Sequence, residues 1–350
     1  MTEVQKKRTG ADLVFPEFDD IKVSTKTFTA MTNLVINLPK LFDFLPITDY
    51  VVVPKRRGRK KKVVVVDPNK DIPEGSIITL KHIEKLRGVD LKKKKTEKKK
   101  KKWFRNSFTT VMMLDKLINF KICQNGTFQM TGCKSAAHAH KCVKYIWEYI
   151  KNEEGNIYTY NHGNALNALF VPAMRNIDFS VGFFVDREKL ARYMATQDDF
   201  HCLLETSFGY TGVNIKLPIS KEITELVITK MTYTKDREYI NIVDAPYQEY
   251  LDYLPIKERD AKIKADRYNT FLVFHSGKLI MSGIHADFMR DTYYYFLEII
   301  RGCFDEIEER LDVDTESESD FEGFEAEKED NEVDEMVANM EKCGVLQSIK

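Results

Sequence analysis

Phe120-Lys-Ile-Cys-Gln-Asn-Gly126-Thr-Phe-Gln-Met-Thr-Gly132 and Phe271-Leu-Val-Phe-His-Ser-Gly277-Lys-Leu-Ile-Met-Ser-Gly283 carry nearly the same message 151 residues apart. Each reads as a strand, a tight turn, a second strand ending Met-[Thr/Ser]-Gly, and about fifteen residues of helical pattern, Ser135 to Ile150 and Ala286 to Ile300. Asn-Gly and Ser-Gly turns are common, so either copy alone is weak. Agreement of turn, strand, strand end and helix at one offset makes an internal repeat the basis of the architecture.

Working outward, residues 107–133 supply three strands and 135–151 a helix. Upstream, the β-branched run Ile21 to Ile36 reads as one long strand or two short ones, and Leu38 to Leu45 as a short helix or turn. The second copy starts over with a strand from Asn176 to Val185, a helix from Asp186 to Thr196 with Asp186 as N-cap, and a strand from Gly212 to Leu217. The expected bounds are a flexible tail over 1–15, a first repeat over 16–155 with a mostly disordered basic insertion over 51–103, and a linker over 156–173. A second repeat over 174–303 follows, with an insertion over 219–266 holding a hairpin near 225–243, and then an acidic tail over 304–350. Strand runs each followed by a helix predict an α+β fold, antiparallel, with helices on one face.

The 350 residues carry 54 basic and 54 acidic side chains, and the zero balance hides segregation. Lys55–Lys62 and Lys92–Lys102 are strongly basic, while acidic residues dominate from Asp305 to Glu335, broken only by Arg310 and Lys328. Such blocks stay solvated and often act as interaction tails. No apolar run approaches bilayer length and no signal peptide opens the chain, so no membrane role is expected. The six cysteines show neither a disulfide framework nor a zinc-ribbon spacing, which predicts a reducing, intracellular setting. Cys133, His138, His140 and Cys142 cluster in sequence, but only His138 and Cys142 share a helix face. A helix surface with two histidines is favoured over a metal site, and no cofactor is expected.

Strand alternation then separates two faces. In the first copy Phe120, Ile122, Phe128 and Met130 share the core side, leaving Lys121, Cys123, Gln129 and Thr131 on a polar open side. In the second, Phe271, Val273, Leu279 and Met281 face the core, and the open side carries Leu272, Phe274, Ile280 and Ser282. An uncovered antiparallel face is ordinarily polar, so an apolar one rimmed by Lys216 and Lys278 calls for a partner. The DNA minor groove, with sugar walls and acceptors on its floor, is one such surface. Another protein is the alternative. No carboxylate pair, Ser-His-Asp set or glycine-rich phosphate loop supports catalysis, so no enzyme is expected.

At these residues the chain resembles the TATA-box-binding protein family, whose core is two such repeats forming one curved antiparallel sheet, a saddle with helices on its convex face. The family pattern Phe-x-Ser-Gly-Lys-φ-φ-x-Thr-Gly-Ala-Lys is close to FHSGKLIMSG and looser in CQNGTFQMTGCKS. Ser107 to Met113 resembles the family's Phe-Ala-Ala-Val-Ile-Met strand, and Tyr210 to Lys216 its Phe-Pro-Gly-Leu-Ile-Tyr-Arg. The insertions and charged tails are similar to those of divergent versions in large DNA viruses. The resemblance implies a transcription initiation factor that bends promoter DNA by pushing aromatic wedges into the minor groove. A kink of ~80° is a property of the family, not a reading of this sequence.

Carried over by position, the wedges fall on Phe108 and Cys123 in the first half and Tyr210 and Phe274 in the second. The groove floor falls on Gln129, Thr131, Ile280 and Ser282, with Leu272, Val111 and Val213 beside it. The family's paired asparagine falls on Asn176, and phosphate contacts on Lys134, Lys216 and Lys278. Cys123 and Gln129 replace an aromatic and an aliphatic residue, which implies a weaker first-half wedge. Asp115 and Glu205 sit near surfaces meant to approach DNA or a partner. The implied partners are promoter DNA, a factor IIB-like protein and RNA polymerase machinery, although Glu205 to Gly212 departs from the family's factor IIB loop. The implied location is a nucleus or viral replication factory, with packaging in the virion an option. The alternative function is a saddle-fold interaction scaffold with weak or no DNA binding.

Overall fold

The computed structural model describes residues 8–53, 67–91, 105–197, 200–204, 212–234 and 239–309. The α+β class and antiparallel pairing expected from sequence are what the structure has. The chain divides into two compact units. One comprises residues 23–176 and 222–253, the other 1–22, 177–221 and 254–350.

The first unit is built from β1 (Val23–Thr32), β2 (Leu34–Ile36), α1 (Leu38–Phe44), β3 (Ile77–His82), β4 (Lys85–Gly88), β5 (Ser107–Met113), β6 (Leu117–Cys123), β7 (Thr127–Cys133), α2 (Ala136–Ile150) and β8 (Tyr158–Tyr160). It also takes the first ten residues of β9 (Asn167–Ser180). Its strand order is β9-β1-β7-β6-β5-β3-β4. Phe120 and Phe128 stack across the β6–β7 hairpin with ring centroids 6.4 Å apart. Beneath α2, the buried side chains His138, Cys142, Val143, Ile146, Trp147 and Ile150 recur at the three- and four-residue spacing of one helix stripe.

The second unit holds α3 (Arg187–Ala195), β10 (His201–Leu204), β11 (Gly212–Pro218), α5 (Ile256–Lys264), β14 (Tyr268–Phe274), β15 (Lys278–Gly283), α6 (Ala286–Gly302) and α7 (Phe304–Ile307), in strand order β10-β11-β14-β15-β9. Phe271 of β14 stacks on Phe296 of α6 at 3.9 Å. The expected N-cap is present: Asp186 Oδ1 accepts from the amides of Glu188 at 3.1 Å and Lys189 at 3.0 Å. Those bonds, that of Lys189 first, hold the Asp186 carboxyl below its ordinary range.

The same seat holds the hairpin turn in both copies. Gly126 has φ 74° and Gly277 φ 73°, left-handed conformations that glycine adopts without strain. A Cβ on Gly126 would stand 2.2 Å from the carbonyl oxygen of Leu34, and one on Gly277 2.1 Å from that of Phe183. The turn carbonyls accept matching amides. Thr32 and Ile36 donate to Gly126 and Gln124, and Val181 and Val185 donate to Gly277 and His275.

Several boundaries differ from expectation. Residues 77–88, placed within a disordered insertion, form the β3–β4 hairpin, and β3 pairs with β5. The two basic runs, 55–62 and 92–102, lie outside the described residues. The linker over 156–173 is largely β8 and the start of β9, so the 173/174 boundary falls inside a strand. The insertion hairpin, β12 (Val227–Thr234) and β13 (Tyr239–Pro246), with α4 (Tyr247–Asp252), belongs to the first unit. There β12 pairs with β9 from Asn167 to Phe170, and Tyr233 packs on Trp147 at 5.3 Å. The N-terminal stretch docks from the first described residue onward: Arg8 donates to the carbonyl of Gly182 at 3.4 Å, Leu13 is buried, and Tyr293 donates to Pro16 O at 2.6 Å. At the other end Phe304 and Ile307, expected in the acidic tail, are buried within the second unit.

Two predictions follow from these seats and caps. Gly126→Ala and Gly277→Ala should each destabilise the protein by ~1–3 kcal/mol in denaturant titrations, and by similar amounts, because the strained conformation is the same. A large loss at one site and none at the other would remove the equivalence of the two turns. Asp186→Ala should cost about 1 kcal/mol at neutral pH. Because the folded carboxyl is held low, this contribution exists above its unfolded value and fades as pH falls through the folded one. Wild type and variant should therefore converge in acid.

Candidate nucleic-acid interface

Pairing across the strands fixes which side chains share the uncovered face. In the second unit Gly212, Asn214 and Lys216 of β11 lie opposite Phe274, Leu272 and Thr270 of β14, and Leu272 and Thr270 lie opposite Ile280 and Ser282 of β15. Val213, Ile215, Phe271, Val273, Leu279 and Met281 take the other parity and are buried. The uncovered face is therefore apolar at its centre. Phe274, Ile280 and Ser282 are half-buried, and Lys216 and Lys278 are exposed at its rim. Leu272 is only 9% exposed. It leans over Gly212, where a Cβ would meet its Cδ1 at 2.7 Å.

Two positions that sequence reasoning passed over belong to this face. Asn214 sits between its strand neighbours with Oδ1 lacking a hydrogen-bond partner, and Thr270 lies between Lys216 and Ser282. The alternation Val213-Asn214-Ile215-Lys216-Leu217 already carried that signal.

In the first unit β6 and β7 present the expected polar face. Cys123, Gln129 and Thr131 are half-buried on it, and Thr131 Oγ1 bonds the carbonyl of Asn119 at 3.3 Å. Ser107 lies directly opposite Cys123. Burial pushes the Cys123 thiol up to about 11, although the Lys121 ammonium works against the shift, so the group is a neutral thiol at physiological pH. Val111 is on the uncovered side but nearly buried. Lys134 is exposed, with its ammonium bonded to the carbonyl of Ser24.

Two sequence-derived contacts are corrected. Phe108 is 1% exposed and faces the core, paired with Ile122 and packed edge-on against Phe42 at 6.0 Å. Val213 is 0% exposed and pairs with Val273, a core residue. Neither can reach a ligand on the uncovered face. Asn176 is nearly buried, alternates with core-facing Ile177, and has an Oδ1 without a hydrogen-bond partner. Tyr210 and Glu205, and most of the loop resembling the factor IIB contact, lie outside the described residues.

His138 and His140 do not assemble a metal centre. His138 takes a hydrogen bond from the amide of Lys134 at Nδ1 and meets Asp115 through Nε2 at 2.9 Å. His140 bonds Thr229 Oγ1 at 2.7 Å, and Cys133 and Cys142 are buried thiols raised by desolvation. Both histidines are thus tied into the fold rather than displayed on a helix surface. Among the described residues no group of three His, Cys, Asp or Glu side chains could hold a metal, and no helix is long and apolar enough to cross a membrane.

No family model matches the chain. Among curated proteins it is 26% identical over 205 residues to the "Uncharacterized protein 335L" of Invertebrate iridescent virus 6, a match covering 56% of this chain and 60% of that protein. It is 30% identical over 116 residues to a "TATA-box-binding protein-like" protein of Acanthamoeba polyphaga mimivirus, covering 28% of this chain and 32% of the relative. The chain thus spans less than two thirds of either relative's length. Among solved structures it is similar to "Methanococcus jannaschii TBP", with 12% identity and a TM-score of 0.39 over 81% of this chain and 98% of that one.

Proposed function

We propose that the chain is a viral transcription initiation factor that binds double-stranded promoter DNA in the minor groove through its uncovered strand faces. The observation that carries this reading is the second unit's face, where the half-buried Phe274 stands beside Leu272 and Ile280 and the exposed Lys216 and Lys278 edge the apolar patch. An apolar strip meets sugar walls, Ser282 and Asn214 offer hydrogen bonds to the groove floor, and the ammonium groups meet phosphates. The mimivirus relative's printed name and the doubled motif support the same reading. The role involves no catalytic step and is set in a nucleus or viral replication factory, beside a factor IIB-like protein and RNA polymerase.

The two faces act unequally in this proposal. Phe274 wedges a base step, whereas the first unit offers Ser107 opposite Cys123 where a wedge would be needed. The first half therefore grips without unstacking, and the bend is shallower than a double wedge produces. The polar first-unit face also favours a second reading, in which that half holds a protein and the chain serves as an interaction scaffold.

Fluorescence anisotropy at physiological salt separates the two. A TATA-bearing duplex should bind more tightly than a scrambled one, and Phe274→Ala should weaken it by roughly 10- to 100-fold, the range expected for an aromatic stacked on a base. Lys216→Ala should lower the log–log salt slope by about 0.9. Equal, weak binding of both duplexes with no effect of Phe274→Ala would transfer the case to the scaffold. In a bend-angle measurement on the TATA duplex, Cys123→Phe should increase the bend, and an unchanged angle would refute the missing-wedge account.

A further inference from the structure

We propose that the acidic segment 312–335 is a built-in occupant of the second unit's uncovered face and competes there with nucleic acid; the competition, though not the docking, rests on the DNA-binding reading above. The first observation is where the described chain ends. Glu308 bridges to Val185, the amide of Glu309 donates to the carbonyl of Phe184 at 2.9 Å, and the Glu309 carboxylate pairs with His275. His275 begins the turn that joins the strand bearing Phe274 to the strand bearing Lys278. The amide of Val185 bonds the carbonyl of His275 at 2.9 Å, so the root of the segment is fixed to that turn. Phe184 lies against the His275 ring at 5.4 Å and is 40% exposed, extending the apolar surface from the turn toward the departing chain.

The second observation is complementarity. Residues 312–335 hold thirteen carboxylates and one cation, Lys328, and their centre reads Asp320-Phe-Glu-Gly-Phe-Glu325. A patch with an apolar middle and cationic edges matches a sequence of carboxylates interrupted by two phenyl rings. Phe321 and Phe324 meet Leu272, Phe274 and Ile280, while the flanking carboxylates meet Lys216 and Lys278.

Reach is no obstacle. β14 is seven residues, about 23 Å long, whereas the eleven residues from Glu309 to Asp320 extend to about 36 Å. Tethering sets an effective concentration on the order of millimolar, so contacts too weak to register in trans suffice to occupy the face when no duplex is present. Charge contacts at an exposed surface fade with salt over a Debye length of ~8–10 Å, and so does the occupancy.

The test uses the full-length chain with p-benzoylphenylalanine in place of Phe321, irradiated at low salt and mapped by peptide mass spectrometry. Crosslinks should fall within 212–218 and 268–283, and Lys216→Glu combined with Lys278→Glu should reduce them at least five-fold. Crosslinks confined to other surfaces, or none, overturn the proposal whatever the DNA result. Excess TATA duplex should suppress the crosslink. Persistence of a correctly placed crosslink beside saturating duplex leaves the docking intact and removes the DNA reading of this face. Duplex binding sensitive to Phe274→Ala, with no crosslink on the face, leaves the DNA reading and removes the docking.

Discussion

The constraint on which both units depend is the contact between a turn glycine and the backbone of the segment leaving the first strand of each repeat. Gly126 against Leu34, and Gly277 against Phe183, leave no room for a side chain, and matching amides close the seat from both sides. Once the turn is fixed there, strand parity on either side of it is fixed too. Phe120, Ile122, Phe128 and Met130 must turn inward together, as must Phe271, Val273, Leu279 and Met281. The composition of each uncovered face follows from that one placement, because a slip of one residue would exchange the two sets.

Much of this was legible in the sequence because the hairpins are local. The turn dipeptides, the Met-[Thr/Ser]-Gly strand ends, the following helices and the Asp186 cap each depend on residues a few positions apart. Phe108 depends on the opposite, a partner distant in sequence. In Phe-Thr-Thr-Val-Met-Met no alternation marks a face, and only its pairing with Ile122 turns the ring inward. At Val213 the alternation with Asn214 and Lys216 already turns the side chain inward, against the position that the family resemblance implies. The hairpin at 77–88 was hidden by the charge runs on either side, although Ile77, Ile78 and Leu80 are fully buried. The allegiance of 222–253 could not be read at all, since it depends on pairing with residues about sixty positions earlier.

The two faces also differ in how they deal with water. On the first unit, Ser107, Gln129 and Thr131 exchange hydrogen bonds with solvent for hydrogen bonds with any ligand, and such exchanges leave a net gain of only ~1 kcal/mol each. On the second, the half-buried Phe274 and Ile280 would gain from leaving water, at about 25 cal/mol per Å² of apolar surface, whereas Leu272 is already largely out of it. In the proposed DNA complex, affinity would therefore concentrate in the half whose face is the less polar. The polar half contributes chiefly where its donors and acceptors find matched positions.

The β12–β13 hairpin lies late in the chain yet completes an early unit. β12 closes on the start of β9, and Met231 and Tyr233 fill the core that holds Trp147. During synthesis the amino-terminal copy thus waits, its β9 edge open and part of its core exposed, until residue 253 has cleared the ribosome. By then residues 177–221 of the other unit have already emerged. The order of threading therefore separates the first unit's early strands from the hairpin that completes their sheet and core.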